Sequence, residues 1–166
     1  MALSDIRAAI ATALAAVPGV GVVNAWEPHV VREEDLRTFF VAPSLGYVLG
    51  WSITREATVE TDDEEYGGVA EVDGAQDVFE DAAHRLVIRG YRAIDNKGAT
   101  EESFQDLVEA IRDRLRQAMR AQYGDVTTQV EAPQVRVFEP REFAGVLVHY
   151  VELTQVCHEH LPVHEP

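Results

Sequence analysis

In the stretch Tyr47-Val-Leu-Gly-Trp-Ser-Ile-Thr-Arg-Glu-Ala-Thr-Val59, the residues Tyr47, Leu49, Trp51, Ile53, Ala57 and Val59 alternate with Gly50, Ser52, Thr54, Glu56 and Thr58. A period of two is that of a strand with one buried face; a helix face recurs every 3.6 residues. The stretch therefore predicts a long strand. Its natural antiparallel partner is 84–94, where Leu86, Val87, Ile88 and Tyr91 supply apolar bulk. Between them, residues 60–81 hold ten carboxylates (Glu60, Asp62, Asp63, Glu64, Glu65, Glu71, Asp73, Asp77, Glu80, Asp81) and no basic residue. So charged a segment is unfit for a core, and it reads as the acidic loop at the tip of an extended hairpin. Loops that long are usually functional or disordered.

Working outward, Ser4 is a candidate N-cap for a helix with Ile6, Ile10, Ala13, Leu14 and Val17 on one side, stopped by 18–21. Residues 20–26 read as a short strand, and 33–40 fit either a short helix or a strand. A second long helix begins near Thr100, with Phe104, Leu107, Val108, Ile111, Leu115 and Met119 as its apolar stripe. A strand over 130–138, a turn over 139–143 and a strand over 145–156 close the chain. The order helix, strand, long hairpin, helix, hairpin implies an α+β fold, a mainly antiparallel sheet with two main helices on one face. The expected organisation is one domain over 1–156, followed by a polar C-terminal arm over 157–166.

The 166 residues, 46% of them apolar, suit one domain with its own core. The single Cys157 excludes an intrachain disulfide and fits a reducing compartment. The first 17 residues lack a basic leader pattern, and no apolar run approaches the roughly 20 residues of a membrane span, so no membrane partner is expected. Against 14 basic residues stand 29 carboxylates. Binding to free nucleic acid is disfavoured, because that affinity comes from Lys and Arg displacing counterions from phosphate.

Motifs for chemistry are few. The sequence Pro18-Gly-Val-Gly-Val-Val23 follows a helix, the reverse of a phosphate loop. Neither Ser44 nor Ser52 lies in a nucleophile elbow. A calcium loop laid over Asp62, Glu64, Gly67 and Asp73 has Tyr66 at its fifth position and lacks flanking helices. In Cys157-His-Glu-His160, strand geometry places His158 and His160 on one face and Cys157 on the other, so the three do not converge on one ion. No metal and no cofactor is expected. On the second helix, Glu101, Glu102, Asp106 and Glu109 precede Arg112, Arg114, Arg116 and Arg120, which complements the helix dipole. Arg112, Arg116 and Arg120 also share a face and form a candidate basic contact surface.

An Ile6-Arg-Ala-Ala-Ile-Ala-Thr-Ala-Leu14 helix, the Pro18-Gly-Val-Gly21 turn, the His84-Arg-Leu-Val-Ile-Arg-Gly-Tyr91 strand, the Phe104–Leu115 helix and the closing Phe143–Val156 strand together resemble the tail terminator or tail completion proteins of long-tailed bacteriophages and gene transfer agents. The resemblance spans 2–156. It implies a structural virion protein that forms a hexameric ring, ends tail-tube growth and presents a head-joining surface. The implied partners are further copies of the chain, a tail-tube protein and a head–tail connector, with DNA only as passing cargo. The implied location is the head-proximal end of the tail, assembled in the host cytoplasm. Function would then reside in interfaces, for which the candidates are Glu60, Asp62, Asp63, Glu64, Glu65, Arg112, Arg116, Arg120, His158 and His160. An acidic tip facing a DNA conduit would repel phosphate, and one on the outer rim would meet a basic partner. The alternatives are another head–tail connector or minor tail protein, and a monomeric ligand-binding domain or enzyme with Tyr47, Trp51, His84 and Arg89 lining a cleft.

Overall fold

The computed structural model describes residues 3–61, 69–72, 75–95, 99–123 and 128–162, with side chains at 4–58, 82–95, 99–118 and 131–158. Along the chain these residues form α1 (Leu3–Ala15), β1 (Val22–Asn24), α2 (Glu33–Phe40), β2 (Leu49–Thr61), β3 (Val69–Val72), β4 (Ala75–Ala93), α3 (Thr100–Tyr123), β5 (Thr128–Val130), β6 (Gln134–Phe143) and β7 (Val146–Pro162). The sheet runs β1-β2-β4-β7-β5, with β6 also on β7 and β3 on β4. Apart from the parallel β1–β2 contact, the registered strand pairs are antiparallel. The fold is α+β.

Alternation along the strands sorts the side chains as the sequence pattern requires. Trp51 and Ile53 of β2, Leu86 and Ile88 of β4, and Val151, Leu153 and Cys157 of β7 belong to one apolar cluster with the stripes of α1 (Ile6, Ile10, Leu14) and α3 (Phe104, Val108, Ile111, Leu115). The opposite sheet face is not simply solvated. Leu36 and Phe40 of α2 form a second cluster there with Val48, Tyr91, Val148 and Tyr150. That second core was not foreseen, because 33–40 read ambiguously. Local chemistry makes it a helix: the Asp35 carboxylate accepts the backbone N–H groups of Val31 and Arg32, at 3.2 and 3.0 Å, and Arg37 bonds Glu33 one turn back. Those two backbone bonds hold the Asp35 carboxyl below the ordinary carboxylate range.

Three sequence expectations need correction. The 60–81 loop is in good part strand: β2 continues to Thr61, opposite Asp81, and β3 pairs with β4 from Val69↔Val78 to Val72↔Ala75. The sequence between the paired positions Val72 and Ala75 is Asp73-Gly74, which lies outside the described residues. Similarly, the turn expected over 139–143 is strand, because β6 runs to Phe143 and reverses at Ala144 and Gly145, both at positive φ. Pro140 is tolerated there on an outer strand, whose free side has no amide to lose from a ladder. Finally, the polar arm after Val156 is, through Pro162, the continuation of β7 against β4. The helix expected to cap at Ser4 already includes Leu3.

Three described glycines, Gly21, Gly50 and Gly90, allow close approaches. A Cβ at Gly21, where φ is 83°, would lie 2.1 Å from the Leu49 carbonyl oxygen, so the turn into β1 needs a residue without one. At Gly90 a Cβ would sit 2.3 Å from the Trp51 ring. Trp51 is fully buried and its indole N–H donates to the Val20 carbonyl at 2.9 Å, so the ring has no room to swing away. Gly90→Ala should lower stability by about 1–3 kcal/mol through overpacking. Urea denaturation checks this, and an unchanged midpoint would show that the Trp51 contact is soft.

Candidate interface

The sequence-derived interface residues do not gather in one place. Glu60 lies on β2 opposite Ala82, while Asp62, Asp63, Glu64 and Glu65 fall outside the described residues, as does the calcium-loop position Asp73. Arg112 and Arg116 are engaged within α3. Arg112 holds both oxygens of Glu109 at 2.8 Å and donates to the Pro133 carbonyl at 3.3 Å; Arg116 pairs with Asp113 at 3.2 Å. Arg112 thus pins the segment between β5 and β6 to the helix. Arg120 lies within α3, with its side chain outside the described set.

At the end of β7, the alternation read from the sequence holds. Cys157 enters the helix-facing core with no exposed surface, and burial pushes its thiol up to about 12. His158 points to the other face, with Nε2 3.4 Å from Glu131 Oε1, and His160 is opposite Asp81 in the β4–β7 register. His149 shares the face of Cys157. It is 7% exposed, stacks on Phe104 and has Nε2 3.0 Å from Thr100 Oγ1. Burial lowers its pKa below the ordinary histidine value. Thr100 therefore lies in the first turn of α3, tied to β7, instead of standing before the helix as its cap.

The four residues of the imagined cleft are also dispersed. Trp51 and His84 face the helices, where His84 Nδ1 lies 3.2 Å from Thr58 Oγ1. Arg89 faces the other way and bridges Glu27 at 2.5 Å and Glu152 at 3.5 Å. Tyr47 precedes β2, with Arg92 over its ring. What Arg89 joins instead is an aromatic-polar cluster. Tyr91 packs against Phe40, Phe143 and Tyr150, and the Tyr150 hydroxyl donates to Glu152 at 2.9 Å. Burial raises the phenol pKa of Tyr91 and of Tyr150. The available signal was the placement of Tyr91 and Tyr150 directly opposite one another, which needs the register and not the composition.

Further along the same face, β4, β6 and β7 enclose a groove of about 320 Å³, lined by Arg85, Arg136, Thr154, Val156, His158 and Glu131, among others. Arg85 and Arg136 are exposed, and among the described residues neither has a carboxylate partner. Thr154 is 7% exposed and its Oγ1 is buried without a hydrogen-bond partner. An unsatisfied buried hydroxyl costs about 1–3 kcal/mol and is an invitation to a ligand. Sequence reasoning passed over this site. Its residues come from three strands and from the segment between β5 and β6, and β6 was assigned a turn in the wrong place.

No protein-family model matches the sequence, and no curated protein matches it.

Two outcomes follow from the buried groups. The Cys157 thiol should resist an aromatic disulfide reagent in the native chain and react fully in denaturant; rapid native labelling would show that the core opens at β7. For His149 the folded pKa lies below the unfolded value near 6.5, so the unfolded chain binds more protons in between. Its contribution to stability is present above about pH 6.5 and is lost as pH falls toward the folded value. Urea midpoints from pH 7.5 to 5 should fall less steeply in His149→Gln than in the native sequence, and identical slopes would refute the assignment.

Proposed function

We propose that this chain is a ring-forming structural subunit of the tail terminator type, which ends tail-tube polymerisation and offers the surface for head joining. The observation that carries the reading is a β arm extending beyond the helix-facing core. Among the described side chains that cluster reaches along β7 as far as Cys157, opposite His84, and Ala82, two residues further on, is still buried. Nine more residues of β4, Ala75 to Ala83, lie past that pair, about 30 Å of strand at 3.3 Å per residue. β2 and β7 accompany them to Thr61 and Pro162, and β3 accompanies the last part.

An arm of paired strands keeps its shape away from a core, and on a ring subunit it suits reaching onto a neighbour. The surface at the root of the arm differs in character from its acidic far end. Contact between unlike patches is heterologous, and a heterologous contact with a suitable rotation closes into a ring. Direct sheet extension suits the subunit less well. The register shifts between Arg55 and Ala57 in β2, past its three pairs with β1, and between Val135 and Val137 in β6, and β6 also carries Pro140. These devices blunt sheet edges.

Light scattering behind size exclusion tests the proposal. The full chain should elute as a closed oligomer near six copies, and replacing 62–80 by Asn-Gly, which joins the paired positions Thr61 and Asp81, should leave a folded monomer. Removal of like charges should leave the melting temperature equal or higher. A full chain that stays monomeric at high micromolar concentration would sink the ring reading, whereas a trimmed chain that still forms rings would remove the arm from it.

A further inference from the structure

We infer that the groove over Thr154 is a docking site for the acidic arm, residues 60–81, of a second copy of this chain. The inference rests on the ring reading and specifies the contact that builds it. Three observations converge on the groove. Its flanks are cationic, with Arg85 from β4 and Arg136 from β6 both exposed and without a carboxylate among the described residues. In a chain with 29 carboxylates and 14 basic residues, acids are plentiful. Arg37, Arg89, Arg112, Arg116 and Arg141 each hold one, whereas Arg85 and Arg136 hold none among the described residues and line the same groove. Between them lies Thr154, 93% buried by its 7% exposure, with an unpartnered Oγ1. A carboxylate entering between the arginines would accept from the hydroxyl and from a planar guanidinium fork, the geometry for which Arg is suited.

The occupant follows from charge and reach. Residues 60–81 offer ten carboxylates without a single internal cation, the complement of this groove. The chain's own arm is poorly placed to fill it. β4 is one continuous strand from Ala75 to Ala93, paired with β7 from Phe79↔Pro162 to Ala93↔Val148, so the arm leads away from Arg85. Along β4, Ala75 is ten positions from Arg85, about 33 Å of extended strand, and Asp81, the arm carboxylate nearest on that strand, is four positions away, about 13 Å. Val156 gives the groove an apolar surface for the aliphatic parts of an entering segment. The one carboxylate of the groove wall, Glu131, lies 3.4 Å from His158 and forms an ion pair with neither arginine.

The test uses the full chain at a concentration where it is dissociated, with a fluorescent peptide of sequence 60–81 as probe. Anisotropy should report saturable binding, weakened at least tenfold in Arg85→Glu/Arg136→Glu, weakened less in Thr154→Val, and absent for a peptide with every Asp and Glu changed to Asn and Gln. Circular dichroism confirms folding of each variant; if the reversal disturbs the sheet, Arg85→Gln/Arg136→Gln gives the same comparison. Light scattering of the same variants should show loss of the oligomer. Absence of peptide binding, binding indifferent to both arginines, or equal displacement by inorganic phosphate or by a short oligonucleotide would each overturn the docking proposal. Rings unaffected by the substitutions would reject the groove and leave the ring reading standing. A full chain that binds the peptide but never oligomerises would reject the ring and leave an acidic-segment site.

Discussion

Fifteen register pairs, from Phe79↔Pro162 to Ala93↔Val148, tie β4 to β7, and the rest of the molecule takes its place from that pairing. Side chains on a strand alternate strictly, so a slip of one residue would move Leu86, Ile88, Val151 and Leu153 off the helix-facing side and bring Val87, Arg89 and Glu152 onto it. The register is held from both sides at once. α1 and α3 bury one face, and α2 with Tyr91, Val148 and Tyr150 closes part of the other. Gly90, beneath Trp51, marks a contact with no room for a Cβ.

The same pair connects the core to the proposed contact surfaces. At one end it carries the aromatic-polar cluster, with Arg89 between Glu27 and Glu152. Midway it forms the floor and a flank of the Arg85–Thr154 groove. Beyond that, it becomes the acidic arm. Rigid strands thus set a fixed spacing between a cationic groove and an anionic arm, and fixed spacing is what a closing head-to-tail contact requires. At physiological salt the charges act over roughly 8 Å, so they select a partner surface at close range and do not steer from afar.

Much of the architecture was legible in the sequence, because periodicity reports burial directly. The strand around Trp51, the stripe from Phe104 to Leu115 and the α+β class all follow from which residues must leave water. The alternation of Cys157 and His158 was legible too. What escaped was information carried by pairing. Asp73-Gly74 is a hairpin signal, but nine other acids around it made the segment resemble a loop. The histidine-rich end looked too polar for structure, yet a strand is held by backbone hydrogen bonds that are indifferent to the polarity of His158 or His160. The groove was invisible for a related reason: Arg85, Arg136 and Thr154 are 18 to 69 residues apart and meet only once β4, β7 and β6 are in register.

Amide hydrogen exchange, followed by mass spectrometry at dilute and at assembling concentrations, tests the central claim most directly, since it reads the β4–β7 pair and its far end in one experiment. Peptides covering 86–93 and 148–153 should be protected at both concentrations. Those covering 60–85 and 154–162 should gain protection only on assembly. Exchange that is independent of concentration along the whole pair, or protection gained on α2 and α3 with none on the arm and groove, would contradict the account.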